Sequence, residues 1–436
     1  MPVAPLKFVD LFAGLGGFHL ALASLGCQCV FASELRPDLR RLYNVNFPGV
    51  RIEGDITQVD EGDIPPHDVL CGGFPCQPFS QAGKRQGFND EGRGNLFYEI
   101  CRILKRHKPE FVILENVSNL LGHDGGNTWS VIRQELESLG YDVSCAVLSP
   151  HEFGIPQHRR RIYIVGHLRS CGGLDGFEFP IGDAKSACDI TDILDDEPVD
   201  AVPLNESVKS KLSVWQEFVD QCVAHGQKLP GFPIWAMEFG ATYDFREYAP
   251  AFQAVKQLRG KRGNLGCVIN GASLSDCLAQ LPVYARTASS QVFPIWKIRY
   301  IEENRAFYER NKSWLDGWLG NIKGWDNSHQ KFEWNCGSAN PSINDKIVQF
   351  RASGIRVKLP TFSPALNLVG TQTPIFPWLG RYMTVREAAR LQGMQDLKMG
   401  DGRFYLSPTR AFEALGNAVN VEVVNRIAKN LLHLKI

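Results

Sequence analysis

The chain has 436 residues, 44% hydrophobic and 22% charged, too many for one ordinary core, so two or three domains are expected. Lys plus Arg and Asp plus Glu stand at 47 each, and the resulting zero net charge excludes a global positive field; any nucleic-acid contact must use local basic surfaces. No run of 18 apolar residues occurs, which excludes a membrane-spanning helix, and the 12 cysteines show neither CxxC pairs nor framework spacing, which favours a reducing, cytoplasmic setting without zinc or disulfides.

Asp10 interrupts the first apolar stretch, so no signal-peptide layout is expected. From there, residues 7–168 alternate apolar strands with amphipathic helices. KFVDLF (7–12) is expected as a buried strand, and 18–25 as a helix that Gly26 ends. QCVFASE (28–34), DVLCGG (68–73) and FVILEN (111–116) are further buried strands, with helices over 95–107 and 128–140. YDVSCAVLS (141–149) and RIYIVGHL (161–168) complete a pattern that predicts a parallel, doubly wound α/β sheet of Rossmann-like type, with ligands outside the carboxyl ends of its strands. Residues 171–380 are rich in Gly, Pro, Trp and polar loops, with weak periodicity, and are expected to form a second, irregular domain. A helix follows at 384–393, capped by Thr384, and the residues from 411 to 436 are helical and apolar, suited to pack back on the first domain.

Three groups of residues carry chemistry. The first is DLFAGLGGF (10–18), a Gly-rich strand-to-helix turn, with Glu34 ending the next strand 20 residues beyond Gly14, where a carboxylate accepts ribose hydroxyls. A tight turn beside a solvated Glu is an equal alternative, and Asp55 in EGDIT (53–57) suits either an adenine amino group or a helix cap. The spacing departs from GxGxxG, so a nucleoside without phosphates fits as well as a dinucleotide. The second is GGFPCQPFS (72–80), which places Cys76 just past a strand's carboxyl end between Pro75 and Pro78; the polar, Gly-rich stretch 77–95 then reads as a lid. The third is ENV (115–117) with QHRRRIYIV (157–165): Glu115 closes an apolar run where burial is costly without a role, and Arg159 and Arg161 are expected on one strand face.

In this order, and with GRGNLF (92–97), RYMTVREAARLQG (381–393) and LGNAV (415–419), these motifs resemble the cytosine-C5 DNA methyltransferases of bacterial restriction-modification systems. The resemblance covers roughly 7–168 and 381–425. It implies S-adenosylmethionine as methyl donor, no metal, and double-stranded DNA as substrate, with the target cytosine flipped from its stack. It casts Cys76 as the nucleophile, Glu115 on the base's amine and N3, Arg161 on its O2, and Arg159 as a support of the catalytic loop. The cofactor falls to Phe12, Gly14, Leu15, Gly17, Glu34, Leu35, Asp55, Ile56, Pro75, Leu96, Asn417 and Val419. Ser80, Lys84 and Arg93 in the lid would close on DNA. The implied layout is a catalytic domain of 1–170 plus 411–436, a target-recognition domain over 171–380, and a connecting hinge over 381–410.

In the second region the basic-aromatic stretch holding Arg286, Trp296, Lys297, Arg299, Tyr300, Arg305 and Tyr308 suits phosphate contact, although an amphipathic helix with its rings inside explains 297–312 equally. A monomer is expected, with a restriction endonuclease of the same target as a compatible partner. Leu35 stands where the family often has an aromatic, Met394-Gln395 where Phe-Pro or Tyr-Pro is usual, and Asn420 where Pro is common. A transfer-RNA methyltransferase of the same fold would carry a Cys-Phe-Thr signature in its second domain, and this chain has none; a silent DNA-binding regulator would lose Cys76 or Glu115, and a nicotinamide oxidoreductase gives the PCQ loop no role.

Overall fold

The structure, a computed structural model, describes residues 4–75, 96–183, 188–366 and 372–433. They form two compact units: Met1–Pro198 with Thr361–Gly370 and Thr384–Ile436, and Val199–Pro360 with Thr371–Met383.

The first unit is built on a seven-stranded sheet: β1 (Lys7–Leu11), β2 (Gln28–Ser33), β3 (Ile52–Glu53), β4 (Val69–Gly73), β5 (Phe111–Val117), β6 (Tyr141–Leu148) and β7 (Arg161–Leu168). Their order is β3-β2-β1-β4-β5-β7-β6. Strand side chains alternate between faces, and both faces here are apolar. Val9, Leu11, Leu70, Val112, Leu114, Ile162 and Ile164 pack with helices α3 (Leu96–His107) and α4 (Asn127–Ser138). Phe8, Val69, Cys71, Phe111, Ile113, Tyr163 and Val165 pack on the other side with α1 (Gly17–Ala23) and the last helix, Val421–Leu432. The C-terminus thus completes the layer that α1 begins.

Three expectations need correction here. The sheet is not wholly parallel, because β7 runs antiparallel to both β5 and β6. Residues 149–160 contain only a short 3-10 turn and a two-residue strand, too little for a helical crossover, so the chain turns back directly. The first unit also continues past 170: Leu174, Phe177 and Phe179 pack on the cluster around Phe8 and Ile427, and the Asp195 amide donates to Glu387. The stretch 381–410 is divided rather than a hinge. Arg381–Tyr382 is an edge strand of the second unit, whereas Thr384 and Glu387 form a reciprocal capping box that starts Val385–Arg390 in the first.

The second unit is more ordered than its sequence suggests. Its six strands are β8 (Ile234–Trp235), β9 (Lys331–Asn335), β10 (Ile347–Arg351), β11 (Gly354–Lys358), β12 (Ile375–Phe376) and β13 (Arg381–Tyr382), in the order β13-β12-β10-β11-β9-β8. Helices of 19 and 24 residues, Glu206–Ala224 and Ile295–Trp318, enclose an aromatic core with Trp215, Phe218, Phe307 and Phe332. The buried stripe of the longer helix runs Ile301, Asn304, Phe307, Tyr308, Asn311, Trp314, Leu315 and Trp318, a helical spacing. Two of its members are asparagines, which is why a hydropathy pattern hides it. Asn304 accepts from the Trp235 amide and donates to the Pro233 and Tyr300 carbonyls, so its burial is satisfied. Residues 297–312 do lie in an amphipathic helix whose rings Phe307 and Tyr308 are buried. Among the described residues no helix is long and apolar enough to cross a membrane.

Candidate active site

The sheet order turns outward on both sides of β1, to β2 and to β4, so a ligand site is expected at their carboxyl ends. The turn after β1 lines it. Phe12 adopts φ +56°, a left-handed conformation that costs a bulky residue on the order of 1–3 kcal/mol and persists only where its surroundings enforce it. Leu15 is buried. The Gly14 amide donates to Glu34 Oε2 at 2.9 Å, and the Arg36 amide to Oε1 at 2.8 Å. Glu34 therefore laces the turn to the end of β2, and each oxygen keeps a lone pair for another donor. A Cβ on Gly17 would lie 2.6 Å from Val419 Cγ1 and 2.8 Å from the Val419 carbonyl, so only glycine lets the C-terminal arm approach the turn so closely.

Other residues expected around a cofactor are placed as follows. Leu35 is 67% exposed beyond β2, an apolar surface where an aromatic was missing. Asp55 accepts from the Thr57 amide and hydroxyl at 3.0 and 2.9 Å, so it caps the turn at Ile56–Gln58, and both hydrogen bonds go to Oδ1. Ile56 is buried with Val9 and Leu11. Pro75 is exposed after β4, and Leu96 begins α3 half-buried. Asn417 is exposed at the end of helix Pro408–Asn417, and Val419 is buried.

The opposite wall holds the charged residues. Gly73, the last residue of β4, pairs in register with Glu115 on β5, and Val117 with Arg161 on β7. Glu115 is 6% exposed, and burial raises its carboxyl above the ordinary carboxylate value even though Arg159 and Arg161 oppose the rise. Arg161 Nε lies 3.1 Å from Glu115 Oε1, an ion pair without hydrogen-bond alignment, so that oxygen is still in want of a donor. Cys76 begins three residues beyond Gly73 and lies outside the described residues, as do Ser80, Lys84, Arg93 and the expected lid.

Arg159 differs from its expectation. It precedes β7 instead of sharing a strand face with Arg161, and its guanidinium donates to the Gly416 and Ala418 carbonyls, both at 2.9 Å. It clamps the arm that carries Asn417 and Val419. It is 2% exposed, and burial, then Arg161, lowers its pKa to about 10, so it stays charged at neutral pH.

Two residues escaped the sequence reading. Asn116 donates to the Phe74 carbonyl at 2.9 Å and accepts from the Val117 amide, which pins the chain two residues before Cys76. Asp10 is fully buried in β1, and burial holds its carboxyl well above the usual range. Each stood in plain view, an Asp inside an apolar strand and the Asn of ENV, and a count of polar residues in buried strands would have found both. Of the residues expected to touch DNA in the second unit, Arg286 donates to the Leu281 carbonyl and Arg299 pairs with Glu303; Lys297 makes neither kind of bond among the described residues.

Comparison with known proteins agrees with this geometry. Residues 6–433 match the model of a family described as C-5 cytosine-specific DNA methylase. The type II methyltransferase M.AluI of Cellulosimicrobium cellulans is 34% identical over 491 residues, covering 98% of this chain and 92% of that protein. The type II methyltransferase M.HhaI of Haemophilus parahaemolyticus is 49% identical over 175 residues, 40% of this chain and 53% of that protein. A solved structure of a prophage-encoded E. coli protein, described as a candidate DNA modification methyltransferase, superposes with a TM-score of 0.50 at 18% identity and 99% coverage of each chain, a likeness of fold.

Proposed function

The chain belongs to the C-5 cytosine-specific DNA methylase family and is a DNA cytosine-5 methyltransferase, and on that premise we propose that it acts through a covalent bond between Cys76 and C6 of a cytosine flipped out of a specific duplex sequence. The observation that supports this best is the register of Gly73 with Glu115: it sets a buried carboxyl, its proton affinity raised by burial, beside the strand whose next residues lead to Cys76.

C5 of cytosine is a weak nucleophile in an electron-poor ring. Addition of the Cys76 thiolate at C6 forms the S–C6 bond and moves the C5–C6 electron pair into the ring, making C5 enamine-like. Glu115, whose hold on a proton burial strengthens, hydrogen-bonds N3 in its protonated form and meets the charge that develops there. Arg161, held beside Glu115, orients the base through its O2. S-adenosylmethionine, when bound, supplies the electrophilic methyl group that C5 takes up. A base then removes the C5 proton, the C5–C6 double bond re-forms, and the Cys76 sulfur leaves with its electron pair.

The first unit fits that donor. Its turn has no room for a Cβ at Gly17, Glu34 keeps lone pairs for ribose hydroxyls, Leu35 offers an apolar face, and the Arg159 clamp holds Asn417 and Val419 at the rim. Asp55 keeps Oδ2 for the adenine amine while Oδ1 caps its turn. The second unit is the target-recognition domain, the protein works as a monomer, and a restriction endonuclease of the same target is its natural partner. The test is methyl transfer from labelled S-adenosylmethionine to mixed-sequence duplex DNA, with bisulfite mapping of the product. Methylcytosine confined to one sequence context is expected; no labelled DNA in any context would sink the reading.

A further inference from the structure

The second unit's sheet packs one face on an aromatic core and sets several cations among buried uncharged residues on the other. Phe332, Trp334, Val348, Ile355 and Val357 belong to the aromatic core. The alternate positions carry Lys331 and Glu333 on β9, the buried Ile347 and Gln349 with Arg351 on β10, and Arg356 and Lys358 on β11. The only carboxylate among these is already engaged: Glu333 lies 2.8 Å from Arg351 and 3.0 Å from Arg356. Arg351 Nε still has no hydrogen-bond partner among the described residues.

At the edge of this face, β9 pairs with β8 and the cations meet a shelf of rings. Lys331 Nζ lies 5.3 Å from the Trp235 ring and 5.9 Å from that of Tyr284. Lys297, on the first turn of Ile295–Trp318, lies 4.6 Å from the Phe293 ring and 5.6 Å from that of Tyr284. Neither ammonium has an ion-pair partner among the described residues, and Trp296 stands 53% exposed beside them. Glu238, which Tyr284 contacts, is neutralised by Arg305 at 2.9 Å.

Cations crowded and half-buried in this way pay for their own concentration. Burial lowers the pKa of Lys297; burial and then Lys297 lower that of Lys331; burial and then Arg356 bring Lys358 down to about 8. A polyanion laid on the face would relieve both costs and release its own condensed counterions.

We propose that the ring shelf at the edge of this sheet binds the sugar-phosphate backbone of duplex DNA, with Lys297 and Lys331 as adjacent phosphate contacts. The inference rests on the methyltransferase reading above and adds where the second unit grips its substrate. A backbone contact positions the duplex without reading bases.

The test compares the full-length protein with the double variant Lys297→Ala/Lys331→Ala on a duplex oligonucleotide containing the methylated context, across a salt series. The log–log salt slope should become shallower by about 2, and affinity should fall on the order of tenfold on every sequence alike. The loss should appear in KM for DNA, and the double variant Lys297→Arg/Lys331→Arg should recover it. Lys312→Ala, which removes a lysine already paired with Asp316 at 3.2 Å, should bind as wild type. An unchanged slope and affinity would overturn the proposal, as would a change in which context is methylated, since that marks base reading. If wild-type protein binds duplex DNA but methylates none, the enzymatic reading fails and this one stands.

Discussion

The two units solve the same packing problem with different sheets, and the proposed split between chemistry in the first and DNA contact in the second rests on that difference. The first unit buries both faces of its sheet under helices and holds a few polar side chains, Asp10 and Glu115 among them, buried within its strands. The second buries one face on an aromatic core and sets cations among buried Ile347 and Gln349 on the other. The first arrangement fixes a few groups rigidly, as covalent chemistry requires. The second gathers lysines beside aromatic rings at one edge of its sheet, as the proposed contact with a charged polymer requires. Changes in the first unit should therefore alter turnover or cofactor affinity on every DNA sequence alike, and changes in the second should alter the grip on DNA.

The largest effect that sharpens this contrast is expected at Glu115. Glu115→Gln removes the proton donor and should lower kcat by about 10²–10³ on every duplex. Because burial raises the folded-state pKa of Glu115, its contribution to stability is present at acid pH and is lost as pH rises through that raised value. The glutamine variant should thus melt no lower than wild type at pH 8, by thermal denaturation, while turning over far more slowly. In the wild type, kcat should fall as pH rises through the same value. A variant that loses activity only by losing stability would erase the distinction.

A smaller effect is expected at Arg159. Lys cannot reach two carbonyls with a fork, so Arg159→Lys should free either Gly416 or Ala418. One charge-assisted hydrogen bond is worth about 1.5–3 kcal/mol, so KM for S-adenosylmethionine should rise at least about tenfold with little change in KM for DNA. Equal rises in both constants would mean that Arg159 serves the catalytic loop instead of the C-terminal arm.

The same contrast explains what was legible in the sequence. The first unit declares itself because its strands are continuous runs of Val, Ile, Leu and Phe, and its polar residues break those runs where they have roles, as at Glu115. The reversal of β7 was missed because an apolar run has no direction; the absence of a helical pattern over 149–160 was the available signal. In the second unit the long helix hid its stripe behind Asn304 and Asn311, buried through hydrogen bonds that only the folded chain supplies. Lys331 went unnoticed for a similar reason. It sits 34 residues from Lys297 in sequence and meets it only where β9 passes the helix start. Asn420, read as a departure from a usual proline, caps the last helix and bonds the Leu391 carbonyl, a stabilising role that proline lacks.

The central claim is that Cys76 bonds to C6 of the target base. Duplex DNA with 5-fluorocytosine in the methylated context tests it, because fluorine at C5 cannot leave as a proton does and the adduct persists. Wild-type protein with S-adenosylmethionine should give a complex that survives denaturing electrophoresis, and Cys76→Ala should give none. A persistent complex with Cys76→Ala would contradict the account and move the nucleophile to another residue.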